Sequence, residues 1–132
     1  MREDEHREQV CVMQWWALSH KMFGISEQLL FAIPNGGHRH ISVAMKLKAE
    51  GVRSGVPDLF LAYPTPFAHG LFIEMKKRKG GRVSDSQKPF ISELNEQGYK
   101  AVVCHGAEAA INEIKHYLTM AKGVKKDALT TS

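Results

Sequence analysis

Asp58-Leu59-Phe60-Leu61-Ala62-Tyr63 and Leu71-Phe72-Ile73-Glu74-Met75-Lys76 are two apolar runs of strand character. Between them Pro64-Thr65-Pro66-Phe67-Ala68-His69-Gly70 is rich in turn formers, so the pair reads as a hairpin with a seven-residue loop. Side chains alternate between the two faces of a strand, which puts Phe72, Glu74 and Lys76 on one side. Pro57 suits the first position of a strand because it donates no ladder hydrogen bond. In an antiparallel hairpin the start of the first strand lies opposite the end of the second. Asp58 and Glu74 are therefore expected as neighbours, with Lys76 beside them.

Two adjacent carboxylates repel, and burying them is costly unless a cation compensates. A divalent metal resolves the conflict. Mg²⁺ takes hard oxygen ligands, commonly one or two carboxylates with waters and substrate phosphates. It polarises a phosphoryl oxygen and acidifies a bound water. A lysine such as Lys76 is a compact charge suited to holding that water or the negative charge that develops on phosphate. The chemistry implied is metal-assisted phosphodiester hydrolysis. The same residues also suit a plainer arrangement, a Glu74–Lys76 surface pair beside a strand-capping Asp58.

Working outward, residues 5–22 read as a helix, with Val10, Met13, Ala17 and, one step round, Trp16 and His20 at helical spacing. Leu29 to Ile33 is a short strand halted by Pro34-Asn35-Gly36-Gly37. Ser42 to Glu50 makes a short helix with Val43, Leu47 and Ala44 inward, stopped by Gly51. After the basic Gly80-Gly81 loop, residues 86–97 form a helix with Phe90, Ile91 and Leu94 inward. Tyr99 to Cys104 is a further strand, and a last helix runs from Ala107 to about Met120 with Ala110, Ile111, Ile114, Tyr117 and Leu118 on its stripe. This alternation calls for a mixed sheet covered by helices.

The 132 residues make one domain, expected over 1–121, with a frayed tail at 122–132. The 43% hydrophobic and 24% charged fractions exclude wholesale disorder and fibrous repeats. No apolar run is long enough to cross a bilayer, and the polar start is unlike a signal peptide, so a cytoplasmic protein is expected. Two cysteines make no disulfide framework, the seven histidines show no zinc spacing, and no phosphate-binding G-x-x-x-x-G-K-[ST] loop for a nucleotide cofactor occurs. The net charge of +4 is modest but unevenly divided. Residues 38–53 carry Arg39, Lys46, Lys48 and Arg53 against Glu50; residues 75–88 carry Lys76, Lys77, Arg78, Lys79, Arg82 and Lys88 against Asp85. Such focused basicity suits a phosphate-binding surface, and equally a solvated loop.

Five ordered blocks go further. Ile33-Pro34-Asn35-Gly36-Gly37-His38-Arg39, Leu47-Lys48-Ala49-Glu50-Gly51-Val52, Gly55-Val56-Pro57-Asp58-Leu59-Phe60-Leu61, Gly70 through Lys76, and Gln87 together resemble the VRR-NUC domain, the virus-type replication-repair branch of the PD-(D/E)xK nucleases, in a compact stand-alone form. The resemblance covers about residues 5–118. It implies a restriction-endonuclease-like α/β fold, an αβββαβ core whose mixed central sheet is flanked by helices. It also implies a Mg²⁺-dependent endonuclease, with Mn²⁺ able to substitute, of a kind similar to Holliday-junction resolvases that act as homodimers on branched DNA. A phage or prophage origin, and so a host-cell cytoplasm, is a further implication.

Carried over by motif, Asp58, Glu74 and the Met75 carbonyl are metal ligands, Lys76 is the catalytic lysine and Gln87 is the motif glutamine. An acid from the first helix completes the site. Glu5 is preferred because it continues the stripe of Gln9 and Met13 and fits the family's E-x-x-x-Q spacing; Glu8 sits off that stripe. Both also suit the positive end of a helix. Gln87 lies on the helix face of Phe90, Ile91 and Leu94, while Ser84-x-x-Gln87 can alternatively be read as a capping box; a start nearer Ser86 leaves Gln87 free to face the site. The family match favours phosphate contacts at Asn35 and Arg39, where the bare sequence reads as a turn. Lys77, Arg78, Lys79 and Arg82 would line the mouth of the site, with Lys48 and Arg53 extending the track. Trp16 is expected in the core, and Trp15 at its edge or in a dimer contact. The reading from another class is a nucleic-acid-binding module that retains the fold without hydrolysis.

Overall fold

β2 (Leu59–Leu61) and β3 (Leu71–Lys76) pair antiparallel, with Leu59 opposite Ile73 and Leu61 opposite Leu71. The computed structural model describes residues 3–34 and 40–131, with side chains through Met120. Ahead of the hairpin come α1 (Glu3–Ser19), β1 (Leu30–Ala32) and α2 (Ile41–Ala49); after it come α3 (Gln87–Glu96), β4 (Lys100–His105) and α4 (Ala107–Thr131). The sheet order is β1-β2-β3-β4. β1 joins β2 antiparallel, and β4 joins β3 parallel, with α3 as the crossover that a parallel pair requires. This is the expected mixed α/β architecture with an αβββαβ core.

Alternation in the strands divides the sheet into two unlike faces. Leu59, Leu61, Leu71, Ile73 and Met75 are fully buried against Val12 and Trp16 of α1 and Ala110, Ile114 and Leu118 of α4. Each such aliphatic side chain contributes about 1.5–3 kcal/mol on burial. The other face carries Phe31, Phe60 and Phe72. Phe60 stacks on Phe72 at 4.2 Å between centroids and meets Phe31 edge-on at 5.8 Å. That aromatic row leads along β3 to Glu74 and Lys76. A one-residue slip in β3 would send both charges into the core, so the register is strongly specified.

Several expectations need correction. On α1 the buried side chains are Val12 and Trp16, whereas Val10 and Ala17 are exposed and Met13 is only partly buried. The helix carries two apolar stripes, and the one that meets the sheet is the one continuous with Glu8 and Gln9. On α2 nothing is buried; Leu47 is half-buried, and Val43 and Ala44 are exposed. Phe90, Ile91 and Leu94 are half-buried beneath α3. The loop between β2 and β3 spans residues 62–70, closed by a Thr65–Ala68 bridge, because the ladder stops at Leu61. α4 continues to Thr131 instead of ending near Met120. Trp16 is in the core, its Nε1–H donating to the Glu27 carbonyl at 2.9 Å, and Trp15 lies at the edge against Phe23 and Trp16. Asn35 and Arg39, with Gly36, Gly37 and His38 between them, lie outside the described residues.

Candidate active site

Asp58 sits one step past the end of the β2–β3 ladder, in the position opposite Glu74. Its backbone still serves the sheet, the carbonyl accepting Ile33 N–H at 2.8 Å. Its side chain replaces the missing rung, with Oδ2 accepting Met75 N–H at 2.7 Å. Within an extended strand, N–H and C=O of one residue point to the same edge. The Met75 carbonyl therefore faces the same gap. The next carbonyl, that of Lys76, turns to the opposite edge and accepts Gly106 N–H at 2.8 Å.

Glu74 is 3% and Lys76 is 7% exposed, the two buried charged residues among those described. Glu74 Oε2 accepts from Gln87 Nε2 at 2.8 Å and lies 3.5 Å from Lys76 Nζ. Glu74 Oε1 is buried with no hydrogen-bond partner. Burial is the largest cause pushing the Glu74 carboxyl up to about 8, followed by the charge of Asp58; Lys76 opposes them. Asp58 is also raised, by burial above all, against the lowering effects of Met75 N–H and Lys76. The two carboxyls touch, and that contact is a hydrogen bond only while one of them holds a proton. A divalent cation can take the place of that proton. Two carboxylates, an unsatisfied buried oxygen and a carbonyl at a ladder's end are the hard oxygen donors that Mg²⁺ accepts. The residues fit the ion.

Gln87 does more than face the site. Its Oε1 accepts Ser84 N–H at 2.8 Å and its own N–H donates to Ser84 Oγ at 3.2 Å, the reciprocal pair of a capping box. Its Nε2 is then left for Glu74. The two alternatives drawn from the sequence coexist, because an amide has two ends. α3 begins at Gln87, so Pro89 falls in the first turn, where its lost N–H costs nothing.

The two acids of α1 have separate surroundings. Glu8 Oε2 accepts Ala107 N–H at the start of α4, and Oε1 accepts from Arg78 Nε at 3.0 Å. This duty was not legible in the sequence; the one signal was Glu8 at helical spacing with Val12 and Trp16. Glu5 carries no such bond among the described contacts, and its charge contributes to the raised carboxyl of Asp58. Among the described residues no three His, Cys, Asp or Glu side chains surround a common point.

The cations surround this centre unevenly. Lys77 is half-buried, and Arg78, Lys79 and Arg82 are exposed on the loop after β3. That loop folds back at Gly81, where an added Cβ would lie 3.3 Å from Lys76 Cβ, so the loop covers the lysine's stem. Lys48 and Arg53 line a groove of about 1050 Å³ between α2 and α3, together with Phe90, Leu94 and Tyr99. The groove is adjacent to the site through Ser54 and the close packing of Gly55 on Ser86.

No helix among the described residues is long and apolar enough to cross a membrane. A family model described as the VRR-NUC domain matches residues 1–108. A solved structure described as a VRR_NUC domain protein is 30% identical and superposes with a TM-score of 0.76, over 90% of this chain and 91% of that one. No curated protein sequence matches.

Proposed function

Since this chain belongs to the VRR-NUC family and has its nuclease-type fold, we propose that it is a Mg²⁺-dependent endonuclease that hydrolyses phosphodiester bonds in branched DNA, four-way junctions in particular. The observation that carries this reading is the Asp58–Glu74 pair beside Lys76, with Glu74 and Lys76 buried and Glu74 Oε1 unpartnered. A structural role alone gives no reason to bury Glu74 against a second, repelling acid and leave one of its oxygens unsatisfied.

In this reading the free oxygens of Asp58 and Glu74 and the Met75 carbonyl hold Mg²⁺, and Glu5 adds negative charge from α1. When bound, the ion neutralises the two acids, polarises a phosphoryl oxygen and acidifies a water. Met75 N–H holds Asp58, and Gln87 holds Glu74, so both carboxylates are oriented before substrate arrives. The Lys76 ammonium, kept close by Glu74, donates hydrogen bonds to the attacking water or to the phosphate oxygen on which charge accumulates. Lys77, Arg78, Lys79, Arg82, Lys48 and Arg53 grip the backbone, which positions DNA without reading its bases. Asn35 and Arg39 belong to the same proposed track. A junction with two-fold symmetry calls for two such sites, hence a homodimer.

The test is a panel of end-labelled four-way, flap, nicked and linear DNA with Mg²⁺, with Mn²⁺ and with EDTA, alongside a mass measurement of the protein in solution. Cleavage of the four-way substrate by a dimer, dependent on the metal, is expected. Binding without cleavage under every metal condition would instead establish a non-catalytic module.

A further inference from the structure

The contacts around α3 assign a role to Ser84, a residue that touches none of the proposed metal ligands. We propose that Ser84 is a positioning residue: through the Gln87 amide it fixes the orientation of the Glu74 carboxylate, and thereby the affinity of the site for Mg²⁺. The inference rests on the proposed metal-dependent reading.

Ser84 N–H donates to Gln87 Oε1 at 2.8 Å, and Gln87 Nε2 donates to Glu74 Oε2 at 2.8 Å. The amide is planar, so settling one end settles the other. If it turned over, its NH₂ would face the Ser84 N–H and its oxygen would face the Glu74 carboxylate. Donor would meet donor and acceptor would meet acceptor, and both bonds would be lost. The second half of the box, Gln87 N–H to Ser84 Oγ at 3.2 Å, holds the two residues in the register that permits this. Ser86, which occupies the formal cap position of α3, makes no side-chain capping bond.

The same turn is clamped from the other side. An added Cβ on Gly55 would lie 2.3 Å from the Ser86 carbonyl oxygen and 3.2 Å from the Gln87 nitrogen. Three residues later the chain reaches Asp58. The box is thus packed against the segment that delivers the first carboxylate while its glutamine holds the second. A helix cap with no further duty would need neither connection.

The probe is Mg²⁺ itself, titrated into the full chain by calorimetry, with thermal midpoints and metal-dependent cleavage measured in parallel. Ser84→Ala is expected to raise the Mg²⁺ concentration for half-saturation about three- to tenfold, short of the 10–100-fold typical of a group bonded directly to a ligand, as in Gln87→Ala. Ser84→Thr should stay within about twofold of the parent because threonine also caps. Ser84→Val, alike in shape but without the acceptor, should behave as alanine does, and it decides the matter with threonine if the alanine variant fails to fold. Ser86→Ala loses only the hydroxyl that meets Ser84 Oγ at 3.2 Å and should have a clearly smaller effect than Ser84→Ala. A lowered thermal midpoint in Ser84→Ala with parental half-saturation, or an equal effect from Ser86→Ala, overturns the inference and leaves Ser84 as a simple cap. A parent chain that binds no Mg²⁺ overturns the metal reading itself.

Discussion

Asp58 Oδ2 accepts the Met75 N–H at 2.7 Å, so a side chain from the start of one strand takes the place of a backbone rung at the end of the next. That relationship places a carboxylate and the Met75 carbonyl at one gap in the sheet. Asp58→Asn preserves an acceptor for Met75 N–H while halving the pair's charge. The folded chain should persist, with a thermal midpoint near the parent's, and cleavage should fall at least about a hundredfold, as expected when more than an outer-shell contact is lost. Parallel melting and single-turnover assays check this.

Lys76 separates chemistry from DNA affinity. Lys76→Met retains a stem to fill the space under Gly81 and removes the ammonium. Cleavage at saturating DNA should drop by about 10²–10³-fold, the usual scale for one donor aimed at developing charge. DNA binding should change little, since the exposed cations Lys79 and Arg82 are the residues proposed to make that contact. A variant that binds DNA much more weakly but cleaves at the parental rate once saturated would assign Lys76 to the backbone track.

The raised carboxyl of Glu74 makes the metal-free protein sensitive to alkali. Unfolded, the group loses its proton near 4.5; folded, it holds it to about 8. Between those values the folded state binds more protons than the unfolded one, so stability falls as pH rises. The loss is up to about 1.4 kcal/mol for each pH unit, before relaxation of the site reduces it. In EDTA the thermal midpoint should therefore decline from pH 5 towards pH 8. The decline should shrink in Glu74→Gln and on adding Mg²⁺, which competes with the proton. An equally steep decline in Glu74→Gln would locate the effect elsewhere.

Glu5 and Glu8 should divide stability from metal affinity. Glu8→Ala removes the acceptor for Ala107 N–H and should cost about 1–2 kcal/mol, lowering the midpoint by about 3–5 °C per kcal/mol. Its Mg²⁺ requirement should match the parent. Glu5→Ala should do the reverse, leaving the midpoint and raising the Mg²⁺ requirement. Melting curves and Mg²⁺ titrations of both variants distinguish this from the opposite assignment.

Gly55 and Gly51 both hold positive φ, +86° and +103°, so alanine strains either. At Gly51 an added Cβ meets nothing within 4 Å, whereas at Gly55 it strikes the Ser86 carbonyl. Gly51→Ala should cost about 1–2 kcal/mol. Gly55→Ala should cost more and also reduce cleavage, because the Ser86–Gln87 turn must move. Equal effects of the two substitutions in both assays would contradict the close packing.

The hairpin shows what a sequence of this kind reveals. Alternation in Leu71–Lys76 and the position of Pro57 were enough to make neighbours of Asp58 and Glu74, because strand parity and antiparallel pairing leave little freedom. α1 was harder. Val10-Met13-Ala17 and Val12-Trp16 are both apolar stripes, and the choice depends on where Glu8 finds its partner, 99 residues away at Ala107. The exposure of α2 was hidden for a similar reason: its periodicity suggests a core face, but none of its side chains is buried against the described residues. Gln87 could be placed on a helix face, yet the pairing of its two amide ends depends on Ser84 and Glu74 meeting in space.

The most direct test is the single-turnover cleavage rate of a labelled four-way junction by the parent and by Asp58→Asn, each with Mg²⁺ and with EDTA. The account predicts cleavage by the parent in Mg²⁺, none in EDTA, and a loss of at least about a hundredfold in the variant. Equal cleavage by parent and variant, or cleavage undiminished by EDTA, would contradict it.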